Sequence, residues 1–152
     1  MDLRKYFWDT ILKMARKDKE IVLLTGDLGF SFCEKFQQEL PEQFINCGCA
    51  EQNMILVAGG LALAGKKPYC YSNSIFLLMR GYEMVRNLCY NNLNVKLIGT
   101  GAADFLGHSH NMVGGEDETI LSKLPNIKTF FPRSGKRMKD ILETKGLVYI
   151  KL

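Results

Sequence analysis

Six short apolar runs recur along the chain, and each is separated from the next by a segment whose hydrophobic residues follow a helical period. The runs are Ile21–Thr25, Gln43–Asn46, Pro68–Ser72, Val95–Thr100, Ile127–Phe131 and Val148–Leu152. Their near-continuous apolar character predicts strands buried on both sides rather than strands with one wet face. The intervening helices are predicted at Leu3–Arg16, Cys33–Leu40, Ala50–Ala64, Leu77–Tyr90, Glu118–Leu124 and Lys136–Thr144. In the first, Leu3, Phe7, Ile11 and Met14 form one stripe. Buried strands joined by helical crossovers pair in parallel and take helices on both faces. The expected fold is therefore α/β, a doubly wound, mostly parallel six-stranded sheet. With 152 residues, 47% of them hydrophobic, the chain supports one continuous core, and residues 1–152 read as a single domain.

Charge and cysteine content narrow the function classes. The formal charge of +4 is mild, and the basic residues are interleaved with acids, as in Lys13, Arg16, Lys17, Asp18, Lys19 and Glu20. No ladder of aromatic and basic residues accompanies it, so nucleic acid is not the expected partner. Cys33, Cys47, Cys49, Cys70 and Cys89 are odd in number and lack CxxC spacing, which reads as reduced thiols in a cytoplasmic protein. The amino-terminal residues are amphipathic and carry no secretory pattern. The longest apolar run, Met54–Gly65, is about half of the ~20 residues that a bilayer requires, so no membrane span is expected.

In sheets of this type function gathers beyond the carboxyl ends of the strands. Three loops there carry unusual chemistry. Gly26-Asp27-Leu28-Gly29 follows the first strand, and Cys47–Glu51 follows the second. A third, from Gly99 to Asp117, is long, glycine-rich and carries both histidines, His108 and His110. The second loop turns through glycine and delivers a carboxylate, Glu51, to the start of a helix that is too apolar to face water. An acid at a helix start can simply favour the helix dipole, or it can exchange a proton with a bound heterocycle. A bare His-x-His is a poor metal site, and no metal ligands are assigned.

Several segments together resemble the pyrimidine-binding domain of the transketolase family of thiamin-diphosphate enzymes. They include Leu24-Thr25-Gly26-Asp27-Leu28-Gly29, the stretch Phe44–Met54 centred on Cys49-Ala50-Glu51-Gln52-Asn53, and Ala58-Gly59-Gly60-Leu61-Ala62. The segment from Phe76 to Arg86, Val95–Thr100, Glu116-Asp117, Leu124-Pro125-Asn126 and the closing Gly146–Leu152 follow in the family's order. The resemblance covers nearly the whole chain.

The resemblance implies roles for particular residues. Glu51 is similar to the glutamate that shares a proton with the aminopyrimidine ring nitrogen of thiamin diphosphate and favours its imino tautomer. Phe76 matches the aromatic that lies on that ring, the alternative being a core phenylalanine. Asn73 stands where relatives often carry a second aromatic, and Arg80 and Tyr82 belong to the same wall or to a subunit contact. Asp27 is similar to an aspartate that reaches the cofactor cleft, though the same tetrapeptide could be a capping turn. His110, with His108 beside it, resembles a histidine that faces the hydroxyl groups of a donor sugar, or else both are ordinary surface residues. The sequence departs from the family at Gly101, where transketolase proper has a histidine, and at Phe131-Pro132-Arg133, where sugar-phosphate enzymes carry an arginine before the proline.

No Gly-Asp-Gly followed by asparagine at diphosphate-site spacing occurs. The resemblance therefore implies that magnesium and the cofactor's diphosphate are held by a separate chain, and that the two chains form a heterotetramer with a self-association interface. The small residues Ala58, Gly59 and Ala62 are expected to pack on another subunit, or alternatively on the chain's own sheet. The carboxyl-terminal domain of relatives is expected to be absent or separately encoded. The implied activity is transfer of a two-carbon ketol unit from a ketose to an aldehyde acceptor, with a small-molecule sugar as substrate. Two alternatives stand beside it: decarboxylation of a 2-oxo acid followed by carbon–carbon bond formation, and a non-catalytic scaffold subunit.

Overall fold

A computed structural model describes residues 2–101 and 115–152. Among them six strands, β1 (Ile21–Thr25), β2 (Phe44–Asn46), β3 (Lys67–Asn73), β4 (Lys96–Thr100), β5 (Ile127–Phe130) and β6 (Leu147–Lys151), form one sheet in the order β2-β1-β3-β4-β6-β5. Every pairing is parallel. The helices are α1 (Leu3–Ala15), α2 (Glu34–Glu39), α3 (Glu51–Leu63), α4 (Tyr82–Tyr90), α5 (Glu116–Leu121) and α6 (Met138–Leu142).

Alternation along the strands builds a separate core on each face. Ile21 and Leu23 of β1, Tyr69 and Tyr71 of β3, Ile98 of β4, and Val148 and Ile150 of β6 point to one side, where Phe7, Trp8, Ile11, Met138 and Leu142 of α1 and α6 cover them. Val22, Leu24, Cys70, Leu97, Leu147 and Tyr149 point to the other, against Met54, Ile55, Leu77, Val85 and Leu88. The doubly wound expectation is met, and the sheet is wholly parallel. Helices on both faces explain why the strands read as continuous apolar runs.

Several predicted limits shift by a residue or two, and three departures carry structural information. Gln43 precedes β2 rather than belonging to it, in a single turn at Pro41–Gln43. Its buried amide donates to the carbonyls of Ala15 (3.3 Å), Asp18 (3.0 Å) and Ile21 (2.8 Å), tying the end of α1 to the start of β1. The single helix expected over Leu77–Tyr90 is interrupted: Phe76–Arg80 forms a π-helical turn, and α4 begins only after Gly81. A Cβ at Gly81 would lie 2.6 Å from the Leu77 carbonyl oxygen and would also strike Ile55, so the break requires glycine. Finally, α5 begins at Glu116, two residues earlier than predicted, immediately after Gly115 in the left-handed region.

Two of the three residues on the small face of α3 pack within the chain, and the third, Ala62, is half-buried. Ala58 and Gly59 are buried, and a Cβ on Gly59 would lie 3.0 Å from Leu88 Cδ2, so this face is filled by α4 of the same chain. The exposed side of α3 instead carries Leu56 and Leu63, 53% and 75% exposed.

Candidate functional site

The carboxyl ends of β1, β2 and β3 converge on Glu51. The turn after β2 passes through Gly48 at φ +67 and brings Glu51 in as the first residue of α3. Its carboxyl side chain is buried, with the residue only 2% exposed. From the end of β3, Ser72 Oγ donates to Glu51 Oε1 at 3.1 Å. Gly26, where the chain leaves β1, makes room for both groups: a Cβ there would lie 3.1 Å from Glu51 Oε1 and 3.2 Å from Ser72 Oγ.

The other carboxylate oxygen is less well served. Arg80 Nη1 lies 3.5 Å from Glu51 Oε2, at the limit of hydrogen bonding, and the Arg80 side chain is half exposed, so water weakens the pair. A carboxylate offers about four acceptor positions. Among the described residues, Glu51 has one short donor. Burying a carboxyl group with so few partners leaves acceptor positions open to a further N–H donor.

The same guanidinium lies over the Phe76 ring, 4.1 Å from its centroid. One planar N–H donor thus stacks on Phe76 while approaching Glu51. A flat nitrogen heterocycle needs the same two contacts, an aromatic face and a carboxylate acceptor for its ring N–H. In that chemical sense the residues present fit an aminopyrimidine, provided that Arg80 moves aside.

Asp27 stands at the rim, with φ +56. Its Oδ1 accepts from Asn46 Nδ2 at 3.0 Å, and its backbone N–H donates to Asn46 Oδ1 at 3.1 Å. Asn46 Oδ1 also accepts from Gly48 N–H at 3.0 Å, so the pair binds the loops after β1 and β2 together. Asn73 is likewise structural in its local contacts: its side-chain oxygen accepts from the Ile75 N–H at 3.1 Å, just ahead of the π turn. His108 and His110 lie outside the described residues.

A second polar group, which sequence reasoning did not assemble, lies farther along the carboxyl edge. Asp117, 4% exposed, accepts from Tyr149 OH at 3.0 Å and pairs with Lys151 Nζ at 3.2 Å. The Tyr149 oxygen lies 3.1 Å from Ser74 Oγ. Burial, reinforced by the Asp117 charge, pushes the Tyr149 hydroxyl pKa upward, so it remains a neutral donor. The Phe131 and Tyr149 rings pack edge to face, with centroids 6.3 Å apart and planes at 62°. Ser72 closes the predicted strand run Pro68–Ser72 and Ser74 lies just beyond it, but nothing in that run specified their partners.

A family model described as "Transketolase, pyrimidine binding domain" matches residues 1–147. The chain belongs to this family. This transketolase pyrimidine domain is 37% identical over 159 aligned residues to a putative transketolase C-terminal section of Methanocaldococcus jannaschii, covering 99% of this chain and 50% of that protein. It is 34% identical to a subunit of the apulose-4-phosphate transketolase of Phocaeicola vulgatus, over 98% of this chain and 50% of that protein. Among solved structures, a split-gene transketolase described as an inactive beta4 tetramer superposes with a TM-score of 0.87 at 35% identity, over 99% of this chain and 50% of that one. The transketolase pyrimidine domain thus spans about half the length of the curated relatives it matches.

The described residues of the pyrimidine domain contain no group of three His, Cys, Asp or Glu side chains placed to hold a metal ion. Among those residues no helix is long and apolar enough to cross a membrane.

Proposed function

We propose that this chain is the pyrimidine-domain subunit of a split, thiamin-diphosphate-dependent enzyme that transfers a two-carbon ketol unit from a ketose to an aldehyde acceptor. The observation that carries the proposal is the buried, under-partnered Glu51 carboxylate beside the flat face of Phe76. When bound, thiamin diphosphate supplies the carbon centre that takes up and releases the two-carbon unit.

The chain's own residues act on the pyrimidine. Glu51 Oε2 accepts the ring N–H and exchanges its proton, while Ser72 holds Oε1 in place. Phe76 offers an apolar face that fixes the plane of the ring. Arg80 leaves the carboxylate and remains at the rim as a cation. Asp27, His108 and His110 meet the sugar, the histidines as neutral groups able both to accept and to donate.

The partner is a separate chain that holds the diphosphate through Mg2+, in a soluble, cytoplasmic heterotetramer. Relatives named as a transketolase section and as a transketolase subunit support this division of labour. The exposed Leu56 and Leu63 of α3 give the chain an apolar surface suited to such a contact.

The test is Glu51→Gln in the assembled enzyme. Gln keeps the volume and an acceptor but cannot exchange the proton, so ketol transfer should fall by ~10²- to 10⁴-fold, the range for a lost acid–base group. Wild-type turnover by a correctly assembled variant rejects the assignment.

A further inference from the structure

At the amino ends of the strands lies a second concavity. Along β3, Lys67 and Ser72 are five residue steps apart, so this end of the sheet is ~16 Å from the Glu51 cleft. The end of α1, the starts of β1, β3 and β4, and the end of α6 enclose a cavity of about 650 Å³, within the usual size range of small-molecule sites.

Its charge is one-sided. Lys13, Lys17, Lys67, Lys96, Lys139 and Lys145 line it, against only two carboxylates, Asp18 and Glu143. Both carboxylates are engaged: Lys67 Nζ lies 2.6 Å from Asp18, and Lys139 Nζ lies 3.6 Å from Glu143. Among the described residues, Lys13, Lys17, Lys96 and Lys145 have no carboxylate partner. The chain as a whole has 20 basic and 16 acidic residues, so an excess of this size is a local concentration rather than a general property of the surface.

Lys96 is the decisive member. It is 4% exposed, and its ammonium donates to Asn94 Oδ1 at 2.6 Å and to the Gly146 carbonyl at 2.9 Å. Both acceptors are neutral, and one N–H remains for another partner. A buried cation without a counter-ion is costly to hold. Burial, and then the charge of Lys128, draw its pKa down to about 8. An anion in the cavity would remove that cost. Beside the lysines, Met14, Ile21, Pro68, Tyr69 and Leu142 provide apolar lining suited to a carbon framework rather than a bare ion.

We infer that this cavity binds an organic phosphate, with its anion among Lys13, Lys17, Lys96 and Lys145 and its carbon body against Met14, Ile21 and Tyr69. Lysines bind phosphate as movable point charges and do not need a fixed fork geometry. The site is separate from the cofactor cleft, and its occupant would be a ligand additional to substrate and coenzyme.

The experiment is calorimetry with ADP on the full chain in its assembled enzyme, with thiamin diphosphate and Mg2+ already saturating. Inorganic phosphate and adenosine serve as the two partial probes. One ADP should bind per copy of this chain, more tightly than inorganic phosphate, while adenosine shows no measurable binding. The exposed double variant Lys13→Glu/Lys17→Glu should raise the Kd about tenfold or more, as loss and reversal of two charge contacts requires. Ketol transfer should be unchanged by it, and Lys145→Glu provides a second exposed variant with the same expected direction. The inference is overturned if ADP fails to saturate at millimolar concentration or if the variants bind it as well as wild type does. It is also overturned if thiamin diphosphate displaces the bound ADP, if inorganic phosphate binds equally well, or if only polymeric nucleic acid binds.

Discussion

Ser72, the sixth residue of β3, donates its hydroxyl to the Glu51 carboxylate at the start of α3, so the strand next to β1 fixes an acid delivered from beyond β2. Ser72 is itself fully buried. Replacing it with alanine leaves Glu51 Oε1 without its short donor. Hydrogen bonds to charged groups contribute about 1.5–3 kcal/mol. Ser72→Ala is expected to lower stability by roughly 2 kcal/mol in denaturant titration and to weaken coenzyme binding. A variant with wild-type stability and coenzyme Kd would show that the bond carries nothing.

Gly26→Ala tests the room reserved for the same carboxylate. The added methyl group would meet Glu51 Oε1 and Ser72 Oγ at 3.1 and 3.2 Å, close enough to force a shift of a few tenths of an ångström. Overpacking of this kind costs about 1–3 kcal/mol, but displacement of the acid should affect function more strongly. Ketol transfer is expected to drop at least tenfold while the variant remains folded by circular dichroism. Equal kinetics to wild type would mean that Glu51 can adjust freely.

The buried lysine gives a pH-dependent prediction. Lys96 has a folded pKa of about 8 against an ordinary lysine value of 10.5. Between these values the unfolded chain binds more protons than the folded one, so this group's contribution to stability rises with pH and is lost as pH falls through about 8. Full neutralisation is worth roughly 3 kcal/mol. Lys96→Met is therefore expected to be more stable than wild type at pH 7, with the difference shrinking as pH rises above 8. Paired urea midpoints from pH 7 to 10 measure this, and a constant difference refutes it.

Tyr149→Phe removes the hydroxyl that joins Asp117 and Ser74. Asp117 keeps Lys151 at 3.2 Å and the Glu118 N–H at 3.1 Å, but its Oδ2 loses the hydroxyl donor. The expected cost is about 1.5–3 kcal/mol in equilibrium unfolding, because a buried charged acceptor is left short of partners. Tyr149→Phe with unaltered stability would mean that water replaces the hydroxyl without penalty.

The strands were legible because burial on both faces writes itself as an uninterrupted apolar run. Ile21–Thr25 is fully buried, and its limits agree with those expected from the sequence. Glu51 was legible for a related reason: a charged residue directly before an apolar helix has few ways to reach water. The break in the segment from Phe76 to Tyr90 was not legible. Leu77, Leu78, Val85 and Leu88 give an apolar pattern compatible with one continuous helix, and part of the constraint on Gly81 comes from Ile55, far away in the chain. The neighbour of Gly59 on α3 was hidden for the same reason, since Leu88 belongs to another helix.

The linear order of residues was sufficient to determine the two-sided parallel sheet, its family, and Glu51 as the acid at a helix start, because each of these depends on local periodicity or on a contiguous motif. The folded chain alone decided that Ser72 serves Glu51, that Arg80 bridges Phe76 and the carboxylate, and that lysines from α1, β3, β4 and α6 share one cavity. Apart from the local stack of Arg80 on Phe76, those are contacts between segments 20 or more residues apart, such as Ser72 with Glu51 and Arg80 with Glu51. Their geometry is set by strand order and register, which no single stretch of sequence encodes.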